Sequence, residues 1–329
     1  MQKLVTIFGG SGFVGRYIAR RLAKDGWRVR VAVRRPNEAH FVRVYGSVGQ
    51  VEPVFANIRD DASVQAALMG ADAVVNCVGI LAESGKNTFD ALQAEGAGRI
   101  ARLAAAQGID RMVQISAIGA DPDSPSVYAR TKAAGEAAVL QHLPDSVILR
   151  PSIIFGAEDQ FFNRFAGMAS LLKSIPLVGG NTRFQPVFVD DVAAAAALAV
   201  DGKGASGIYE LGGPEVLTFR EMMQTMLGVV RRRALLLPVP FFAAKAMGFV
   251  LDWVQKLSLG LFQNNVLTLD QVRNLARDNV VTGQSGFEAF GIAPTTLEAV
   301  LPDYLWRFRP SGQYAEIKES ARNLRVGPR

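Results

Sequence analysis

Gly9-Gly10-Ser11-Gly12-Phe13-Val14-Gly15 follows the apolar run Lys3–Phe8 and opens an amphipathic stretch over Gly12–Asp25. A glycine-rich turn between a strand and a helix is the context in which such a motif binds a dinucleotide. Gly9 permits the tight turn, Gly12 lets backbone approach a pyrophosphate, and Gly15 lets the helix lie close to the sheet. Ser11, Phe13 and Val14 complete the contact surface, and the helix amino terminus offers free N–H groups to the phosphates. An ordinary strand-to-helix turn is the plain alternative.

Working outward, short β-branched runs alternate with helical patterns, the signature of βαβ units around a parallel sheet. The expected strands are Lys3–Phe8, Arg28–Val33, Val51–Phe55, Ala73–Val78, Met112–Ile115 and Val147–Leu149. Helices are expected at Gly12–Asp25, Ala62–Met69, Asn87–Gln107 and Ser126–His142. Right-handed crossovers turn these elements into an α/β fold, a doubly wound parallel Rossmann sheet. After Pro151 the rhythm changes to glycine and proline punctuation with longer apolar helices. The expected domains are a dinucleotide-binding core over residues 1–150 and a smaller, interleaved carboxyl-terminal cap over 151–312. The chain is expected to return to the core near residues 184–200, with Val187–Ala199 as the returning element, and to end in an extended tail over 313–329.

Composition narrows the classes further. At 329 residues with 49% apolar side chains, the chain can bury a large core, which excludes a disordered protein. Its single cysteine, Cys77, excludes an internal disulfide and reads as a small packed side chain. No zinc spacing is present and no metal is expected. The net charge of +6 describes a surface field, and with no nucleic-acid-binding motif no nucleic acid is expected as a partner. The start at Met1 shows neither a signal peptide nor an Arg/Ser-rich leader, which suits a cytoplasmic protein or a processed organellar one.

The second strand ends Val31-Ala32-Val33-Arg34-Arg35. An NAD site usually has an acidic residue here for the ribose hydroxyls, whereas Val33 followed by Arg34 and Arg35 offers guanidinium groups to a 2′-phosphate. The expected cofactor is therefore NADP(H), in particular NADPH; the plain alternative is two solvated arginines. Asn57 and Ile58 after the third strand are placed to border the adenine. Val78 and Gly79 after the fourth let the cofactor lie close.

Tyr128 and Lys132 are one helical turn apart on one face. In a reductase the phenol exchanges a proton with substrate while the ammonium lowers its pKa and holds the nicotinamide ribose. The glycine turn, Tyr128-Ala-Arg-Thr-Lys132, Arg150-Pro-Ser-Ile-Ile-Phe-Gly156 and Pro186-Val-Phe-Val-Asp-Asp191 together resemble the extended or atypical short-chain dehydrogenase/reductase superfamily over most of residues 1–200. That resemblance implies cofactor contacts at Ser116, Tyr128, Lys132, Pro151 and Ile153. It also implies a third catalytic hydroxyl two residues beyond the first serine of the strand end, where Ile115-Ser116-Ala117-Ile118-Gly119 departs from the pattern. Ile118 cannot hydrogen-bond a carbonyl, so Tyr128 and Lys132 are expected to hold cofactor, with a working triad the lesser expectation.

Phe241–Phe262 is the most apolar stretch. On a helical projection Lys245, Asp252, Gln255 and Lys256 form one narrow stripe, while Phe242, Phe249, Val250, Trp253, Leu257 and Leu261 cover the rest. The helix is either a core element of the cap or a face docked on a membrane or an apolar partner, with Arg231-Arg232-Arg233 preceding it. Ser116-Ala-Ile-Gly-Ala-Asp121, the run Leu267–Val281, Phe290-Gly-Ile and Tyr304-Leu-Trp-Arg-Phe-Arg-Pro310 extend the resemblance to nearly full length. They are similar to the 39-kilodalton-type Rossmann accessory subunits of respiratory complex I. The resemblance implies an NADPH-holding, non-catalytic subunit of the peripheral arm, close to the quinone-site subunits and to the membrane. Its location would be the cytoplasmic face of a bacterial inner membrane, or the matrix face of an organelle. A soluble NADP(H)-dependent reductase or epimerase, and a redox-responsive regulator, are the other functions such a site allows.

Overall fold

The computed structural model describes residues 2–257, 268–283, 286–310 and 312–314. Six strands come first, at Leu4–Phe8 (β1), Arg28–Val33 (β2), Val51–Phe55 (β3), Ala73–Asn76 (β4), Met112–Ile115 (β5) and Val147–Pro151 (β6). Short strands follow at Ile154–Phe155 (β7), Ser174–Val178 (β8), Arg183–Phe184 (β9) and Val187–Phe188 (β10). Gly207–Leu211 (β11) then pairs in parallel with β6 and completes a seven-stranded sheet of order β11-β6-β5-β4-β1-β2-β3. β11 was not among the expected strands, because its exposed Ile208 and its start at Gly207 lack the apolar run of a buried strand. Leu217–Thr218 (β12) pairs with β9 and Leu235–Val239 (β13) with β8.

The order reverses between β1 and β4, which opens a crevice at the carboxyl ends of those strands. Helices at Phe13–Lys24 (α1), Asp61–Leu68 (α2), Glu95–Ala106 (α3) and Val127–His142 (α4) connect the strands. The expected helix over Asn87–Gln107 is shorter at its start, where Asp90–Ala94 forms a π turn leading into α3. Alternation along β1 sorts the two faces: Val5 and Ile7 join Ile18 and Leu22 of α1, while Phe8 joins Leu68 of α2 and Ile100 of α3. Fully burying Ile18 and Leu22 contributes roughly 1.5–3 kcal/mol each.

After β6 come helices at Phe162–Leu171 (α5), Val189–Val200 (α6), Phe219–Val229 (α7) and Phe241–Leu257 (α8), then Leu269–Asn274 (α9), Gly286–Ala289 (α10) and Leu297–Leu305 (α11). Val187–Ala199 is a two-residue strand followed by α6, whose buried Ala193, Ala196 and Ala197 share the α1 side of the core. Asp190 binds Arg21 of α1 through two 2.8 Å bonds, and Asp191 accepts the Thr295 amide at 2.7 Å. A separate aromatic and methionine-rich cluster gathers Phe155, Phe162, Phe219, Met222, Met226 and Leu301.

The apolar side of α8 faces outward: Phe242 is 77% and Trp253 58% exposed, and Phe249 and Val250 are exposed as well. Its buried side is narrow, with Ala244 and Gly248 against the α9 region, where a Cβ on Gly248 would lie 3.0 Å from the Leu269 nitrogen. The exposed apolar face is not that of a helix buried in the core of the cap. The part of the apolar stretch beyond Leu257, with the side chains of Gln255, Lys256, Leu257 and Leu261, lies outside the described residues. Among the described residues no helix is long and apolar enough to cross a membrane. Gly312–Tyr314 forms a 3₁₀ turn, and the expected extended tail beyond it also lies outside the described residues.

Candidate dinucleotide site

The glycine turn is packed as a phosphate cradle requires. Gly9 has φ +74° and donates to the Ala32 carbonyl at 3.0 Å, and Gly12 donates to the Gly9 carbonyl at 2.9 Å. A Cβ on Gly9 would stand 3.3 Å from the backbone of Cys77 and Val78, and one on Gly15 2.7 Å from the Gly10 Cα. Backbone therefore closes on backbone at both places, and no side chain fits without displacement. Gly12 caps α1 with no side-chain bond of its own, so the first N–H groups of the helix face the crevice. Ser11, Phe13 and Val14 flank it; the Ser11 carbonyl accepts from Arg16 at 3.1 Å, and Phe13 stacks edge-on with Tyr17.

At the adenine side β2 ends on buried Val33 with no carboxylate. Exposed Arg34 reaches the Asn87 side chain at 3.1 Å, whereas Arg35 pairs with Glu38 on its own turn. The two arginines thus differ: Arg34 bonds the loop after β4, whereas Arg35 is held in an exposed pair on its own turn. Ile58 is buried against Gly96 of α3, and Asn57 is tied locally by its amide to Ser63 at 2.8 Å.

The opposite side of the crevice is organised by α4. Lys132 is only 6% exposed, and its Nζ donates to the Ile115 carbonyl at 3.3 Å. A Cβ on Gly79 would stand 3.3 Å from that Nζ, which brings Val78 and Gly79 beside it. Burial lowers the Lys132 pKa to about 8, against opposing pulls from Glu136 and Cys77. Tyr128 packs edge-on to Phe89 with its ring centroid 5.9 Å from Lys132 Nζ, and burial pushes its phenol up to about 12. The Cys77 thiol packs against the core and is likewise pushed up to about 12 by burial.

Buried Ser116 donates to Glu136, and Arg150 clasps the same carboxylate with Nε at 2.9 Å and Nη2 at 2.5 Å. The serine hydroxyl is thus committed to a buried ion pair. Ile118 is buried at the position of the expected triad hydroxyl, its amide bonded to the Pro151 carbonyl at 3.0 Å. Pro151 closes β6, and Ile153 lies just beyond, against the methionine-rich cluster. The structure therefore joins the glycine turn, Val78, Gly79, Tyr128 and Lys132 along one crevice. Glu136 was missed, although it lies four residues beyond Lys132, the same spacing that links Lys132 to Tyr128. Asp270 was missed too: its carboxylate, on α9, accepts from Ser126 Oγ at 2.7 Å and from the amides of Val127 at 2.8 Å and Tyr128 at 3.2 Å. No local pattern marks that residue.

A cradle that any Cβ would fill, with free helix amides and a buried ammonium along the same crevice, fits a dinucleotide. Bound nicotinamide would supply two-electron redox chemistry there. Among the described residues no group of His, Cys, Asp and Glu side chains is arranged to hold a metal ion.

A model of the NAD dependent epimerase/dehydratase family matches residues 5–212. The chain is 36% identical over 316 residues to NADH dehydrogenase (ubiquinone) 1 alpha subcomplex subunit 9, mitochondrial, of Arabidopsis thaliana, covering 94% of this chain and 79% of that protein. It is 30% identical over 251 residues to a ceramide reductase of Caulobacter vibrioides, covering 76% and 77%. Of solved structures, an Escherichia coli NADPH-dependent quinone oxidoreductase complexed with NADPH superposes with a TM-score of 0.69 at 18% identity, covering 92% and 98%. That last likeness concerns the fold.

Proposed function

The chain belongs to the NAD dependent epimerase/dehydratase family, and we propose that, like the alpha subcomplex subunit 9 proteins it resembles, it is an NADP(H)-holding accessory subunit of respiratory complex I. In this reading it holds the dinucleotide without turning it over and supports the peripheral arm beside the membrane. The observation that carries it is the fate of the hydroxyls beyond β5: Ser116 is committed to Glu136, and the next candidate position is Ile118. Burial raises the pKa of the Tyr128 phenol, Lys132 donates to a strand carbonyl, and among the described residues no bond links the phenol to a group that would relay its proton. A ligand that binds only the folded form stabilises it in proportion to occupancy and does not need to react.

Gly9, Gly12 and Gly15 with the α1 amides would hold the pyrophosphate, Arg34 the 2′-phosphate, and Lys132 the nicotinamide ribose. Arg34 beside a strand end without a carboxylate supports NADP(H) over NAD(H). The exposed apolar face of α8 supports a peripheral contact with quinone-site or membrane subunits, on the cytoplasmic face of a bacterial inner membrane or the matrix face of an organelle. The test is affinity purification of the tagged chain from gently solubilised membranes, with mass spectrometry of associated proteins and released nucleotide. Complex I subunits together with NADPH are expected. A lone soluble protein that carries out multiple turnovers with a carbonyl substrate would overturn the reading and favour a reductase, for which the Tyr128 and Lys132 spacing and the ceramide reductase relative speak.

A further inference from the structure

The amino terminus of α4 carries Tyr128 in its first turn and Lys132 in its second. A helix leaves its first N–H groups without intrahelical partners. Here the Ala129 amide is capped locally by Ser126 Oγ at 3.3 Å, while those of Val127 and Tyr128 are taken by Asp270, 142 residues away from Tyr128. The Ser126 hydroxyl that caps Ala129 itself donates to Asp270 at 2.7 Å. One carboxylate thus organises all the free donors of the turn that carries Tyr128, and its negative charge sits at the positive end of the helix dipole.

Asp270 belongs to a segment fastened along the same loop. Gln271 donates to the Leu81 carbonyl at 3.4 Å, Arg273 to the Pro125 carbonyl at 3.3 Å, and Arg277 pairs with Asp121 at 3.2 Å. Asn279 donates to the Ile118 carbonyl at 3.2 Å and accepts from Ser152 at 2.7 Å. Residues 268–279 therefore run as a strap beside the loop from Ile118 to Val127, on the nicotinamide side of the crevice. The glycine turn and Arg34 have no contact with this strap among the bonds described.

We propose that Asp270 is a positioning residue for the nicotinamide half of the cofactor, holding Tyr128 and Lys132 at the crevice through the amino terminus of α4. The proposal rests on the NADP(H) reading above and names what sets one half of that site. Its effect falls chiefly on that half, because Asp270 itself bonds only α4 and its cap, the strap reaches the loop after β4 through a single Gln271–Leu81 bond, and the adenine half is built from α1 and β2.

The test is Asp270→Asn in the full chain, which removes the charge and leaves one acceptor oxygen in place of two. Binding of NADPH is compared with that of adenosine 2′,5′-bisphosphate, which has the adenine half alone. NADPH is expected to bind about tenfold or more weakly, on the scale of one lost charge-assisted hydrogen bond, while the bisphosphate keeps its wild-type Kd. Asp270→Glu should restore much of the difference. Equal weakening of both ligands in a variant folded by circular dichroism, or no weakening of either, overturns the proposal. If Asp270→Asn does not fold, Ser126→Ala, which removes one of the three bonds to Asp270 together with the Ala129 cap, is held to the same selective loss. Failure of the wild-type chain to bind either ligand would instead count against the NADP(H) reading itself.

Discussion

The two ends of the crevice are built in opposite ways. At the adenine end the parts are contiguous in sequence, from Gly9 to Gly15 and at Arg34, and the binding groups are backbone amides and one exposed guanidinium. At the nicotinamide end the parts come from β5, α4, β6 and α9, and the polar groups bond one another: Ser116 with Glu136, Glu136 with Arg150, the α4 amides with Asp270. The first arrangement leaves donors free for a ligand, whereas the second has used most of them in the fold.

The sharpest way to break the contrast is to remove Glu136. Glu136→Ala leaves the half-buried Arg150 guanidinium and the buried Ser116 hydroxyl without their acceptor, a loss of about 2–3 kcal/mol, below that of a fully buried pair because Arg150 stays partly in water. Urea unfolding should show it, and a change under 1 kcal/mol would mean that the nicotinamide end is not held by this pair. Arg34→Ala should weaken NADPH by about 1.5–3 kcal/mol, the range for a hydrogen bond to a charged group, while NADH binding stays nearly constant. Arg35→Ala should do less, since Arg35 already pairs with Glu38. Equal effects on both cofactors in a fluorescence titration would remove the 2′-phosphate assignment. Gly15→Ala forces a Cβ against Gly9 and Gly10, an overpacking cost of about 1–3 kcal/mol. It should lower the melting temperature and weaken NADPH and adenosine 2′,5′-bisphosphate alike.

The smallest effect is the dependence on pH. Lys132 titrates near pH 8 in the free protein, so its ammonium is lost as pH rises through that value, and NADPH affinity should fall severalfold above it. Lys132→Met should flatten the profile. The stability of the free protein moves the other way. An unfolded lysine keeps its proton up to its ordinary value of 10.5, so the unfolded state binds more protons between about 8 and 10.5 and stability rises with pH across that window. A flat or falling stability in Lys132-intact protein over that range would show the ammonium to be well solvated.

How much of this was legible follows from where the forces lie. β1, β4, β5 and β6 could be read because each is a short apolar run buried along nearly all of its length, and the edge strand β3 was read although its Glu52 and Phe55 are exposed. β11 could not, because of its five residues only Leu211 is buried, and it gains its place by pairing with β6. The outward face of α8 was also open in the sequence: the helical period shows that an apolar side exists and leaves its neighbour undefined, and here the buried side is the strip of small residues facing α9.

By itself the sequence determined the glycine turn, the absence of an acid after β2, the Tyr128 and Lys132 spacing and the apolar residue at position 118. These are local facts, settled within one or two turns of chain, where steric limits at a Cβ or the helical repeat leave a single reading. Packing alone set Ser116 against Glu136, Arg34 against Asn87, and Asp270 as the cap of α4 from a distant part of the chain. A carboxylate or hydroxyl takes whichever donor or acceptor the packed backbone brings within about 3 Å, and that choice is made by side chains far apart in sequence once the sheet and its helices have closed around them.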